Sequence, residues 1–193
     1  MIARGANLVL IGGGARSGKS AYAVQRALSL GPRRVFVATA EAFDDEMRAR
    51  IAAHVAERGD DFSTVEAPRE LESALEALQL LPDPVDVVVI DCLTLWLSNL
   101  LLADVPASEL ELRVERLAAA CSALSCPVLL VTNEVGFGVV PDTALGRLFR
   151  DVTGRAHQRL ARSAGEVLFA ALGCLLRLKP GPVVLATPEP HEP

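Results

Sequence analysis

Short apolar runs alternate with amphipathic, helix-like stretches along nearly the whole of this chain. The runs that predict β-strands span residues 8–11, 33–39, 62–66, 85–91, 127–132, 166–172 and 174–179. The stretches that predict helices span residues 21–30, 44–58, 69–81, 93–102, 109–124 and 142–164, and the last contains two glycines that favour an interruption, Gly146 and Gly154. Strands and helices in alternation predict an α/β fold, with a mostly parallel sheet flanked by helices. The last two strands turn at Gly173 and predict a short antiparallel edge at the C-terminal end of the sheet.

The length and the hydropathy of the chain favour one folded domain. We expect the 193 residues to form a single domain over residues 1–179, followed by a Pro-rich tail over residues 180–193 that lacks regular structure. Hydrophobic residues make up 51% of the sequence, and the mean hydropathy is +0.33. No uncharged apolar run approaches the ~20 residues that a membrane span requires. Buried parallel strands, which are covered on both faces, explain this hydrophobicity better.

The charge and the aromatic content argue against a nucleic-acid-binding surface. The net charge is −5 and aromatic residues make up 4% of the chain, whereas such surfaces need basic patches and stacking rings. The cysteines, at positions 92, 121, 126 and 174, form no C-x-x-C pair, and the three histidines do not cluster, which disfavours a zinc site. Reduced thiols in the cytoplasm are the simplest interpretation.

A glycine-rich segment between the first strand and the first helix carries the most informative motif. It reads Gly13-Gly14-Ala15-Arg16-Ser17-Gly18-Lys19-Ser20, which is Gly, four residues, then Gly-Lys-Ser. A strand, a glycine loop and a helix start are the context that a phosphate-binding P-loop requires. The glycines let backbone N–H groups converge on phosphate oxygens, and the helix N-terminus adds its positive end. In this interpretation Lys19 reaches the β- and γ-phosphates and Ser20 ligates Mg²⁺.

Polar side chains follow two of the predicted buried strands. Asp91 ends one of them, at the edge where parallel strands present their ligands, so it is a candidate to hold Mg²⁺ directly or through water. The alternative for Asp91 is a cap for the helix that follows. Asn133 and Glu134 end a second strand and reach the same rim. Glu134 is a candidate general base or ligand for substrate hydroxyls, or a cap of its own loop, and its spacing does not decide between these roles.

His54 lies on the predicted helix over residues 44–58, one turn after Arg50 and one turn before Arg58. Two guanidiniums beside an imidazole would attract phosphate and lower the imidazole pKa by like-charge repulsion. A neutral imidazole is a nucleophile, whereas a protonated one is not. On pattern alone, a helical histidine beside arginines is more often part of a solvated face than a catalytic group.

Taken together, these segments resemble the bifunctional adenosylcobinamide kinase / adenosylcobinamide-phosphate guanylyltransferase family of cobalamin biosynthesis. The matching residues lie, in order, at 13–20, 38–40, 44–47, 50–51, 54, 64–66, 91–94, 98–101, 131–136, 138–141, 149–151, 154–155 and 158. The P-loop alone is generic, whereas Asn133-Glu134-Val135-Gly136 and Phe149-Arg150-Asp151 are specific. The resemblance runs from residue 8 to about residue 179, nearly the whole chain.

The resemblance implies a P-loop NTPase fold of the RecA-like type and a two-step reaction. ATP or GTP first phosphorylates the side-chain hydroxyl of cobinamide. The family's histidine, which matches His54, then attacks the α-phosphorus of GTP, and the guanylyl-histidine passes its GMP to cobinamide phosphate. The resemblance also implies homotrimers, Mg²⁺ as a cofactor, and a corrinoid and a nucleotide as the partners. The family's nucleotide contacts map onto the P-loop and onto Thr39, Ala40, Glu41, Val55, Ala56, Glu57, Arg58, Glu66 and Asp91.

The chain departs from the family pattern at a few positions. Ala53 precedes His54 where some relatives have a second histidine or a basic residue, Phe62 stands where Trp is frequent, and His157 replaces the usual Asn before Gln158.

Two other functions compete with the family's activity. One is a small-molecule kinase without nucleotidyl transfer, in which His54 only binds phosphate. The other is a RecA-like ATPase module acting on a protein partner, although the sequence offers no basic DNA-binding face.

Overall fold

The computed structural model describes residues 7–41, 45, 48, 59–181 and 184–186, and these residues alternate between strands and helices. The strands are β1 (Leu8–Gly13), β2 (Arg34–Ala38), β3 (Ser63–Glu66), β4 (Val87–Asp91), β5 (Val128–Val131), β6 (Glu166–Ala171), β7 (Cys174–Lys179) and β8 (Val184–Ala186). The helices are α1 (Lys19–Leu28), α2 (Leu71–Gln79), α3 (Leu93–Leu102), α4 (Ala107–Ala123) and α5 (Ala144–Ser163), with a short 3₁₀ turn at Gly59–Asp61.

The strands form one eight-stranded sheet in the order β3-β2-β4-β5-β1-β6-β7-β8. Every pairing from β3 across to β6 is parallel, and the pairings of β6 with β7 and of β7 with β8 are antiparallel. The expected α/β fold, mostly parallel with an antiparallel C-terminal edge, is therefore confirmed.

The central strands are buried on both faces because consecutive side chains of a strand point to opposite sides. In β1, Leu8 and Leu10 join a core cluster with residues of α2, α3, α4 and α5. Val9 and Ile11 instead join a second cluster with Ala23 and other residues of α1. This two-sided burial accounts for the nearly continuous apolar runs of the sequence.

The structure differs from two expectations drawn from the sequence and leaves a third largely untested. Helix α5 runs unbroken through Gly146 and Gly154, so the expected interruption is wrong. The tail was expected to lack regular structure, but Val184–Ala186 pair with β7 as an added antiparallel strand. Asp45 and Arg48 are helical, and the rest of the predicted helix over residues 44–58 lies outside the described residues. The division into a domain over residues 1–179 and a tail stays a prediction.

Among the described residues, none of the helices combines the length and the apolar character that a membrane span needs.

Asn99 ties two connecting segments to helix α3. Its side chain is 2% exposed, and its Nδ2 donates to the carbonyl oxygens of Thr39, at 2.8 Å, and of Pro68, at 3.0 Å. These carbonyls belong to the segments that follow β2 and precede α2. An amide on a buried helix face therefore fixes the chain at the carboxyl ends of β2 and β3.

We expect Asn99→Ala to lower the free energy of unfolding by about 2 kcal/mol, because two buried carbonyls lose their donor. Urea unfolding followed by circular dichroism measures the change. Leu102→Ala, on the same helix but 57% exposed, is the control and should shift stability by about 0.5 kcal/mol or less. Equal losses in the two variants would contradict this role for Asn99.

Candidate nucleotide site at the carboxyl edge of the sheet

The strands that carry the predicted site residues end at the same level. Ala38 at the end of β2 is in register with Glu66 of β3 and with Asp91 of β4. Asp91 is in register with Val131 of β5, which is in register with Ile11 of β1. The P-loop leaves β1 immediately beyond this row. The fold therefore brings Glu66, Asp91 and the P-loop to one edge, where open parallel sheets bind their ligands.

The loop itself has the backbone shape that the glycine pattern predicts. A Cβ on Gly13 would lie 2.5 Å from the carbonyl oxygen of Ala170 on β6, so only glycine permits this close approach. Gly18 has a left-handed φ of 90° and precedes the first residue of α1, where it has no side chain to cap the helix. Lys19 is 7% exposed, and its Nζ donates to the carbonyl oxygen of Gly14 at 3.0 Å. The ammonium thus lies against the loop, where the first-turn N–H groups of α1 favour an anion.

The ends of β4 and α1 lie close together. Helix α1 packs on β4, the strand that ends at Asp91, and on β5. Burial, and then the negative charge of Asp91, raise the pKa of the Cys92 thiol to about 11, while Lys19 acts in the opposite direction. Both charges are therefore within electrostatic reach of Cys92. The thiol is therefore protonated at neutral pH, the form that is a poor nucleophile.

Ser20 and Asp91 are candidate oxygen ligands for a magnesium ion. Among the residues that the structure describes, no three His, Cys, Asp or Glu side chains group as a metal site. Mg²⁺ is bound in nucleotide enzymes by one or two protein oxygens together with phosphates and water. A hydroxyl at the start of α1 and a carboxylate at the end of β4 are donors of that kind.

Thr39 makes a structural link between neighbouring strands. Its side chain is fully buried, its Oγ1 donates to the carbonyl oxygen of Cys92 at 2.8 Å, and the same Oγ1 accepts from the backbone N–H of Cys92 at 2.7 Å. The hydroxyl is therefore occupied within the protein, and the contact of Thr39 with a nucleotide stays a prediction.

Glu41, two residues further on, pairs with Arg69. Arg69 Nε lies 3.0 Å from Glu41 Oε1, and its terminal nitrogen donates to Oε2 at 3.1 Å. The backbone carbonyl of Arg69 in turn accepts from Trp96 Nε1 at 2.8 Å. This bidentate pair anchors the segment that leaves β2, next to Ala40, and a nucleotide contact for either Ala40 or Glu41 stays a prediction.

His54 and the adjacent residues Val55, Ala56, Glu57 and Arg58 lie outside the described residues. Their predicted roles are therefore carried by the sequence alone. On α5, Arg155 Nε lies 2.9 Å from Glu111 Oε1 on α4, and Arg159 pairs with Glu115. These arginines bridge two helices.

One polar cluster at the edge was not predicted as a unit. His157 on α5 lies between Thr132 and Glu134, with its Nε2 2.7 Å from Thr132 Oγ1 and its Nδ1 3.7 Å from Glu134 Oε2. The backbone N–H of Glu134 donates to the carbonyl oxygen of Gly13 at 2.9 Å, which joins this cluster to the P-loop. A sequence signal existed, since His157 falls on the apolar face of α5 next to Ala156, but only the fold shows which strand end it meets.

The chain is similar to known proteins over most of its length. The family model described as cobinamide kinase / cobinamide phosphate guanyltransferase matches residues 9–178. A bifunctional adenosylcobalamin biosynthesis protein, CobU, from Salmonella typhimurium is 39% identical over 184 residues, covering 89% of this chain and 99% of its own length. A bifunctional adenosylcobalamin biosynthesis protein, CobP, from Pseudomonas aeruginosa is 40% identical over 174 residues, covering 90% of this chain and 98% of its own length.

Solved structures that resemble the fold are RecA-like ATPases, at low sequence identity. The RadB recombinase matches with a TM-score of 0.52 at 18% identity, covering 91% of this chain and 80% of that chain. A second solved structure, an ATPase domain, matches with a TM-score of 0.54 at 14% identity, covering 94% of this chain and 80% of that chain. These likenesses establish the P-loop, RecA-like fold and nothing about the reaction.

The family match spans most of the chain, the two relatives are matched over nearly their whole length, and the P-loop stands at the ligand-binding edge of the sheet. This chain therefore belongs to the cobinamide kinase / cobinamide phosphate guanyltransferase family and is a bifunctional enzyme of adenosylcobalamin biosynthesis.

Proposed function

We propose that the P-loop over Gly13–Ser20 binds the triphosphate of ATP or GTP in the kinase step, and that His54 carries the guanylyl group in the transferase step. The observation that carries the first part is the loop itself, with its buried lysine at the carboxyl edge of a parallel sheet. The second part rests on the match of His54 to the family's histidine. Thr39, Ala40, Glu41, Glu66, Asp91 and residues Val55, Ala56, Glu57 and Arg58 complete the proposed nucleotide contacts.

In the kinase step, the hydroxyl oxygen of cobinamide forms a bond to the γ-phosphorus, and the bond from that phosphorus to the β-phosphate oxygen breaks. Lys19 and the backbone N–H groups of the loop hold the phosphate oxygens in line for the transfer. These donors are fixed before the reaction, so they stabilise the developing charge without rearranging. Mg²⁺, held by Ser20 and Asp91, would neutralise part of the charge on the phosphates.

In the transferase step, an imidazole nitrogen of His54 attacks the α-phosphorus of GTP and pyrophosphate leaves. A phosphate oxygen of cobinamide phosphate then attacks the same phosphorus, the phosphorus–nitrogen bond breaks, and the neutral histidine returns. A covalent intermediate divides a difficult transfer between two anions into two easier displacements. His54 must be neutral to attack, so the first displacement should slow as the pH falls below the imidazole pKa.

We also propose that the protein is a cytoplasmic homotrimer. All four cysteines are free thiols, as expected in a reducing compartment that also supplies ATP and GTP. Support for self-association comes from the segment that precedes α5, where Phe137 and Val139 are 85% and 94% exposed and Val140 is 60% exposed. Apolar side chains exposed in a row are typical of a surface that another protein covers.

Lys19→Ala should abolish phosphorylation of cobinamide, with a loss of at least about a hundredfold in kcat, because the loop loses the charge that meets the transferred phosphate. The kinase rate is measured by the release of nucleoside diphosphate when cobinamide and ATP are supplied. The control is Lys179→Ala, since the only other lysine of the chain binds the carbonyl oxygens of Ala161 and Arg162. Wild-type kinase rates in Lys19→Ala would remove the P-loop assignment.

His54→Ala should lose the covalent label that wild-type protein acquires from GTP radiolabelled at the α-phosphate. A phosphorus–nitrogen bond predicts that the wild-type label is labile in acid and stable in alkali. His191→Ala, in the Pro-rich tail, is the control and should keep the label. If His54→Ala still becomes labelled, another residue carries the guanylyl group; if wild-type protein phosphorylates cobinamide but never acquires label, the covalent route itself is wrong.

Light scattering after size-exclusion chromatography should give a mass three times that of the 20.5 kDa chain. Val139→Glu should lower that mass, because a buried unpaired carboxylate opposes association. Leu80→Glu changes a leucine beyond α2 that is also strongly exposed, at 85%, and should leave the mass unchanged. A wild-type monomer at every concentration would exclude the trimer, and a Val139→Glu trimer would place its interface elsewhere.

A further inference from the structure

The cluster of Thr132, Glu134 and His157 lies beside the P-loop, and the reaction described above gives it no role. Thr132 and Glu134 follow the end of β5, and His157 reaches them from α5. The His157 and Glu134 side chains are 17% and 23% exposed, so both polar groups are largely shielded from water. Burying a carboxylate and an imidazole costs free energy, so their presence together at this depth indicates a role beyond keeping the surface soluble.

The geometry favours one tautomer of the histidine. Nδ1 faces the Glu134 carboxylate at 3.7 Å, and Nε2 faces the Thr132 hydroxyl at 2.7 Å. In a neutral ring with its proton on Nδ1, that N–H is turned towards the carboxylate, and Nε2 accepts from the Thr132 hydroxyl. The hydroxyl therefore fixes the ring, and the ring directs an N–H at Glu134.

The rest of the loop also holds Glu134. Its Oε1 accepts from the backbone N–H of Gly136, and a Cβ on Gly136 would lie 2.8 Å from that oxygen, so a side chain there would push the carboxylate away. The backbone N–H of Glu134 donates to the Gly13 carbonyl at 2.9 Å. The carboxylate thus has a donor near each oxygen and is tied through its own backbone to the first glycine of the P-loop.

Several charged side chains of α4 and α5 are paired with one another. Helix α3 (LTLWLSNLLL) and strand β1 (LVLIGG), which both pack against α5, carry no ionisable side chain. On α4, Glu111 pairs with Arg155 and Glu115 pairs with Arg159. On α5 itself, Arg150 and Asp151 lie 3.9 Å apart. Glu134, in the loop after β5, is therefore the charged group that faces the imidazole.

We propose that His157 is a positioning residue for the kinase step: it orients the Glu134 carboxylate, which accepts the proton of the cobinamide hydroxyl. As the hydroxyl oxygen bonds to the γ-phosphorus, its proton moves to a Glu134 oxygen, and the nucleoside diphosphate leaves with the electrons of the broken bond. The inference rests on the proposed binding of the triphosphate by the P-loop.

The protonation state of His157 gives the proposal a pH signature. Burial lowers the pKa of His157 below 6.5, and the charge of Glu134 opposes that shift without cancelling it. The imidazole is therefore neutral at physiological pH, and Glu134 keeps its charge for proton transfer. At lower pH the imidazole becomes a cation that pairs with Glu134 and weakens it as a proton acceptor, so the kinase rate falls.

The test measures kcat of the kinase step with cobinamide and ATP in His157→Ala, His157→Asn, Glu134→Gln and the double variant His157→Ala/Glu134→Gln. We expect Glu134→Gln to lose about a hundredfold and His157→Ala about tenfold, with KM for ATP changed by less than about twofold. The double variant should be no slower than Glu134→Gln alone, because His157 acts through that carboxylate. His157→Asn keeps an amide that can bond both neighbours and should stay within about threefold of wild type.

The pH profile separates positioning from a purely structural role. In wild type, kcat should fall as the pH drops below about 6.5, and in His157→Asn this part of the fall should disappear, because an amide does not titrate. The free energy of unfolding should also fall with the pH, because below about pH 6.5 the unfolded chain binds a proton at His157 more readily than the buried ring does. His157→Asn should lose less stability than wild type over the same range. Urea unfolding at about pH 7.5 and 5.5 measures this difference.

Arg159→Ala is the matched control, since it removes the partner of Glu115 from the same helix. It should keep the wild-type kcat and pH profile. Independent, multiplicative losses in the double variant, or a pH profile identical in wild type and His157→Asn, would overturn the proposal. An inactive Lys19→Ala beside a fully active His157→Ala would reject this role and leave the P-loop assignment intact, whereas an active Lys19→Ala would reject the P-loop assignment itself.

Discussion

The main-chain ladder that joins β2, β4, β5 and β1 determines where the P-loop, Asp91 and the end of β5 stand relative to one another. These strands are parallel and end in register, so their carboxyl ends form one row of residues from Ala38 to Ile11. At the end of β1, Gly13 lies so close to the carbonyl of Ala170 on β6 that no room is left for a side chain. A ladder that slipped by one residue would exchange the two faces of each strand and separate the P-loop from Asp91.

The same ladder explains why this edge can hold charge in an apolar protein. The strands are covered on both faces, and the described helices contribute apolar residues to two separate clusters. Lys19 and Thr39 are nevertheless buried at the carboxyl edge, where loop carbonyls and the end of β4 supply their partners. These polar groups are shielded from water, so the edge has a lower dielectric than the open surface. Electrostatic interactions with a bound phosphate gain strength in such a place.

Much of this arrangement could be predicted from the sequence. The P-loop and the placement of Asp91 at a strand end depend on local motifs and on the parallel sheet, and both follow from residue types and spacing. Helix α5 shows where local reasoning fails. Glycine in a helix costs about 1 kcal/mol, but α5 buries Val152, Ala156 and Leu160 against the core, which offsets the two glycines. The link between His157 and Glu134 is less predictable still, because it depends on how α5 docks against the end of β5.

The distribution of thiols has a practical consequence for spectroscopy. Cys92, Cys121 and Cys126 are buried, and burial raises the pKa of each thiol, to about 11 for Cys92 and about 12 for Cys121. Cys174 is exposed at the start of β7, in the hairpin with β6, the strand that packs against Gly13 of the P-loop. A maleimide dye added to the native chain would therefore react first at Cys174. Unmodified protein thus offers a single attachment point for a fluorophore, on the hairpin whose first strand contacts the P-loop.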